Sequence, residues 1–206
     1  MSRAQLDLSA DIGGFFKELV EESVEGRGVE ATEATRAYVS GLLADYARPG
    51  ALTRDALERP VTLLLAEARE SAGHERFERL RALGDGTLYV CGFFAEHLTT
   101  RGLPVEYITS VGAQAYDDAA AMLRRSGAGS EPSSAPDVFG ELAAHFATFV
   151  SLIESIADKL VAQSARASSA SVLKLYERWL KHGSTEIAAT LGAHGLVPLR
   201  GGGGVH

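Results

Sequence analysis

Tyr89, Phe93 and His97 stand at four-residue steps, a spacing that places all three on one stripe of a helix. A histidine on such an aromatic stripe is positioned to be an axial ligand to haem in an apolar cleft. Tyr107 and Tyr116 follow, each with a hydroxyl that needs a partner if buried. Asp117, Asp118, Glu96 and Glu106 stand nearby in sequence as acceptors. Gly92 and Gly112 interrupt segments that otherwise read as helix. Glycine in a helix costs about 1 kcal/mol against alanine. It is usually kept where two backbones, or a backbone and a ligand, come close. Two readings follow. In one, helices over 87–100 and 105–125 cross near Gly92 and Gly112, and His97 is a boundary histidine bonded to a carbonyl or water. In the other, Tyr89, Phe93, His97, Tyr107 and Tyr116 line a small-ligand or haem pocket, as in a binding protein or an oxidoreductase. The crossing is the simpler of the two.

Other chemistries find weaker support. Glu141–His145 and Glu70–His74 are four apart and could share a metal, but such pairs are ordinary on a solvated helix face. The Glu-x-x-His spacing of di-iron bundles does not occur. The helical zinc-protease pattern fails as well, because His74-Glu75 is followed by Glu at position 78. His145, between Leu142 and Phe146, is a second candidate axial ligand. Cys91 sits in LYVCGFF, an apolar setting that raises a thiol's pKa and makes it inert. There is no Gly-x-Ser-x-Gly elbow and no phosphate loop. No metal and no cofactor is expected from these residues, and the balance leans away from an enzyme.

The 206 residues are 46% apolar and 23% charged, with a formal net charge of −7. That is the composition of a globular chain. Its acidity disfavours nucleic acid as a partner. One cysteine allows no internal disulfide, which fits a reducing, cytoplasmic setting. The start of the chain lacks a signal-peptide pattern. No apolar run reaches the roughly 18 residues of a membrane span.

The elements that would position these groups read as helices nearly throughout. Helices are expected over 12–26, closed by Gly26 and Gly28, and over 33–47, capped by Thr32. A further helix starts at Thr53, and another runs over 60–71 with Pro60 at its first position. Residues 75–83 form a helix ended by Gly84-Asp85-Gly86. The helix expected over 87–100 is apolar on almost every side from Leu88 to Ala95; a strand competes there, and helix is preferred. Pro104 opens 105–125. Residues 126–135 form a flexible loop, and a long helix runs from 136 to about 164. Helices over 172–181 and 184–194 follow, with a flexible glycine-rich tail at 200–206. The class is all-α: a single-domain multi-helix bundle of about eight to ten helices spanning 1–206.

Gly84-Asp85-x-x-Leu88-Tyr89-x-x-Gly92-Phe93-Phe94, then Tyr107, then Gly112-x-x-Ala115-Tyr116, resembles uncharacterised all-helical bacterial proteins. Leu175 to Leu180 with Gly183-Ser184 fits the same pattern. The resemblance implies a helical domain and no named activity. The preferred function is therefore non-catalytic contact with a protein partner or a second copy, through an apolar face around Tyr176 and Trp179. Membrane-surface binding by the helix carrying Phe15–Val24 is a weaker third reading, since its polar face is acidic.

Overall fold

A computed structural model of the protein describes residues 3–47, 59–100, 104–126, 137–165, 176, 179 and 183–193. Eight helices are defined among them: α1 Arg3–Arg27, α2 Glu33–Tyr46, α3 Val61–Glu70, α4 Gly73–Thr100, α5 Val105–Ser126, α6 Val138–Ala144, α7 Phe146–Ala165 and α8 Thr185–Ala193. No strand occurs among the described residues, so the class is all-α. The chain falls into two compact units, Met1–Ile153 and Glu154–His206. The helix expected from Thr53, the 127–135 stretch and the 200–206 tail lie outside the described residues.

Local sequence accounts for the helix ends. Gly28 adopts φ +62, which glycine alone adopts without penalty. Its N–H donates to the Glu25 carbonyl and that of Val29 to the Val24 carbonyl, the paired bonds of a Schellman stop. Thr32 caps α2, its hydroxyl accepting from the Thr35 N–H. Pro60 stands just before α3, and its carbonyl accepts from Leu63 and Leu64. Pro104 does the same for α5, accepting from Tyr107 and Ile108.

Two helix boundaries fall differently from expectation. Gly84-Asp85-Gly86 does not end a helix: α4 runs through it, with one departure from helical backbone at Phe94 (φ −128, ψ 24). Burial overrides the helix cost of the two glycines, since positions 83–88 are all buried. Conversely, the helix expected from 136 to about 164 is broken at His145 (φ −117, ψ 26), and its two arms are bent by 86°. The break lets α6 lie against α2 and α5, while Phe146 at the start of α7 meets Gly112.

In the first unit α4 and α5 form the central pair, flanked by α3, α6 and α2, with α1 on α2. Leu80, Leu88, Cys91, Ala115, Ala119, Leu142, Leu152 and Ile153 are fully buried. Burying each large apolar side chain stabilises by about 1.5–3 kcal/mol. The apolar face of α1 (Phe16, Leu19, Val20, Val24) is buried too. In the second unit Trp179, Ile187, Leu191 and Ala162 pack together, with Tyr176 partly covering them.

Both interruptions by glycine are close-packing sites, but their partners differ from the expected mutual crossing. A Cβ at Gly92 would come within 2.4 Å of Ile153 on α7. One at Gly112 would come within 2.2 Å of the Thr87 hydroxyl on α4 and 2.4 Å of the Phe146 ring. The α4–α5 crossing therefore lies at Thr87 and Gly112, and Gly92 serves α7.

Candidate functional site

Asp85 lies on the face of α4 that meets α2 and α5, and it is 8% exposed. Its Oδ1 accepts two hydrogen bonds of 2.7 Å, from the hydroxyls of Tyr38 on α2 and Tyr116 on α5. Arg81, one turn earlier, places Nη1 3.7 Å from Oδ2. The same guanidinium donates to Glu78 Oε2 from Nη2 at 2.7 Å and from Nε at 3.3 Å. Phe139 stands edge-on to the Tyr38 ring at 5.3 Å and tilted against that of Tyr116 at 5.8 Å. Gly84 makes the approach possible: a Cβ there would lie 2.5 Å from the Tyr116 ring.

Burial dominates the electrostatics. It pushes the Asp85 carboxyl above the ordinary aspartate range, against the pull of Tyr38, Tyr116 and Arg81, and Glu78 adds to the push. Burial, and then the Asp85 charge, also raise Tyr116 and Tyr38 well above a free phenol. Both phenols are thus locked as donors. Two donors occupy the acceptor positions of Oδ1, so a proton on this carboxyl belongs on Oδ2. A group this enclosed does not meet a substrate. Its chemistry is to hold a charge or a proton between three helices.

A half-exposed aromatic strip lies beyond the clamp. Tyr46, at the end of α2, stacks on Tyr89 at 4.6 Å and 23°. Tyr89 stacks on Phe93 at 4.9 Å and 30° and meets Phe94 edge-on at 5.8 Å. Tyr46, Tyr89 and Phe93 are partly covered, while Phe94, at the departure from helical backbone, is 40% exposed. The Asp85 charge reaches Tyr46, whose hydroxyl is raised by burial first and Asp85 second.

Of the five residues expected at a pocket, Tyr89 and Phe93 come together. Tyr116 is fully buried and turned to Asp85, while Tyr107 is 46% exposed. The backbone of His97 is helical; its side chain lies outside the described residues. Sequence reasoning passed over Tyr38, Tyr46, Arg81 and Asp85. The four-residue steps Arg81–Asp85–Tyr89 were the available signal, hidden by reading two glycines as a turn.

His145 is the C-terminal cap of α6, and its N–H donates to the Glu141 carbonyl. The Glu141 side chain ties α6 to α2: Oε1 accepts from the Thr32 N–H at 2.8 Å, and Oε2 accepts from the hydroxyls of Thr32 at 2.6 Å and Thr35 at 2.7 Å. Burial is the largest single influence on its carboxyl and opposes ionisation. The three bonds and nearby His145 together outweigh it and hold Glu141 below the ordinary range. Among the described residues no three His, Cys, Asp or Glu side chains gather as metal ligands would. Cys91 is fully buried, its Sγ 3.8 Å from the Thr109 hydroxyl. Trp179 is also buried, at 7% exposure, which removes it as an exposed interface anchor. No single helix among the described residues is long and apolar enough to cross a membrane.

No family model, no curated protein and no solved structure matches the chain.

Proposed function

We propose that the protein acts without catalysis, by contact with a protein partner, and that a second copy of the chain is that partner. The observation that carries this reading is the strip Tyr46–Tyr89–Phe93–Phe94, a run of rings left partly open on one surface. Tyrosine and other aromatic side chains are favoured interface anchors because they bury much area at small entropic cost. The enclosure of Asp85 and Cys91 agrees with a role that needs no reacting group. Sedimentation velocity over a concentration series tests the reading. The parent chain is expected to associate reversibly, and Phe94→Asp to stay monomeric with its helical content unchanged. A parent chain that stays monomeric at the highest attainable concentration overturns it.

The near-parallel stacking of Tyr46, Tyr89 and Phe93 favours one second reading, in which the outer ring face receives a flat aromatic ligand such as haem. Titration of the purified protein with haem, followed by absorption, separates the two. A shifted Soret band lost in Tyr89→Ala supports the ligand; no spectral change removes it.

A further inference from the structure

Glu78, Arg81 and Asp85 occupy successive turns of α4, and one guanidinium serves two carboxylates. With a proton on Asp85, Glu78 and Arg81 cancel. With Asp85 ionised the three sum to one negative charge, and that charge sits on the member with least water. The side chains of Arg81 and Glu78 are 38% and 39% exposed, against 12% for Asp85. A buried anion draws a cation far more strongly than an exposed one does. Arg81 stands 3.7 Å from Oδ2, roughly 1 Å beyond hydrogen-bond distance. It needs only a side-chain rotation to close that gap.

We infer that Glu78, Arg81 and Asp85 form a proton-operated exchange, in which Arg81 pairs with Glu78 while Asp85 holds a proton and transfers to Asp85 when the proton leaves. The groups facing Asp85 are Tyr38 and Tyr46 from α2, Glu78 and Arg81 from α4, and Tyr116 from α5. Helices α6 and α7 contribute the rings of Phe139 and Phe146, packed on Tyr116, which do not titrate. The phenols keep their protons throughout, because burial and Asp85 hold them as donors. Arg81 is the mobile charge. It lies one turn below Asp85, and Tyr89 lies one turn above, stacked on Tyr46. Proton loss at Asp85 therefore alters the field and packing at the base of the aromatic strip. That last consequence rests on the strip's being a contact surface; the exchange itself does not.

The test is a carboxyl carbon NMR titration of the full chain labelled at aspartate, with Asp85→Asn to assign the resonance and circular dichroism to check the fold. Asp85 is expected to titrate above the exposed aspartates. Glu78→Gln frees Arg81 for Asp85 and is expected to lower that midpoint by about one pH unit, the effect of an opposite charge brought within contact. Arg81→Gln is expected to raise it. An Asp85 midpoint within the range of the exposed aspartates, or one unmoved by Glu78→Gln, overturns the exchange. Glu78 is on the surface, so the Glu78→Gln arm decides even where Arg81→Gln does not fold. Self-association measured on the same samples reads the contact surface separately. Its absence at every pH removes the proposed function and leaves the exchange standing.

Discussion

The hydroxyl of Tyr116 lies 2.7 Å from Oδ1 of Asp85, across the crossing of the two central helices. Tyr38 brings α2 to the same oxygen. One carboxylate oxygen thus joins three helices.

Removing that acceptor strands two donors. Asp85→Ala is expected to destabilise by about 1–3 kcal/mol for each orphaned hydroxyl, with the fully buried Tyr116 contributing more than Tyr38. Asp85→Asn keeps an oxygen for both phenols and is expected to cost much less. Urea unfolding followed by circular dichroism measures both; an alanine variant no less stable than the asparagine variant contradicts the clamp.

The two carboxylates that tie helices together, Asp85 and Glu141, impose opposite pH dependences. Asp85 is raised, so the folded chain binds its proton more tightly than the unfolded chain does. Its contribution is complete below the ordinary aspartate range and falls as pH rises through the raised value. Glu141 is lowered, so its contribution is complete above the ordinary glutamate range and falls as pH drops through the lowered value. Stability measured against pH should lose the first slope in Asp85→Asn and the second in Glu141→Gln.

Glu141→Ala is expected to cost about 1–2 kcal/mol, because three donors from one helix cap lose a charged acceptor in a partly exposed site. Hydrogen exchange at the first turn of α2 should accelerate. Unchanged exchange of the Thr35 amide contradicts the tie between α6 and α2.

Glycines in helices should separate by what surrounds them. Gly84→Ala sets a methyl 2.5 Å from the Tyr116 ring; overpacking of about 1–3 kcal/mol exceeds the helix gain of about 1 kcal/mol. Gly41→Ala meets nothing within 4 Å and is expected to stabilise by about 0.5–1 kcal/mol. Thermal melts of the two variants should therefore shift in opposite directions.

How far the chain was legible varied with the range of the forces involved. Thr32, Gly28, Pro60 and Pro104 set helix ends through bonds within a few residues, and those ends were readable. Gly84-Asp85-Gly86 was misread because glycine signals a turn when nothing packs on it, and here the Tyr116 ring does. The break at His145 was misread because the apolar stripe runs through it unbroken; its cause is that α6 and α7 meet different neighbours. Trp179 was readable as an anchor but not as one already used within its own unit.

The sequence by itself determined an all-helical chain, because periodicity and capping act locally. It also marked Tyr89 and Phe93 as neighbours, since four-residue spacing suffices. Only the tertiary structure decided that Tyr38, Asp85 and Tyr116 share one oxygen. Those residues lie 47 and 31 positions apart. Which side chain answers a buried charge is settled by which helices pack together, and no local pattern carries that information.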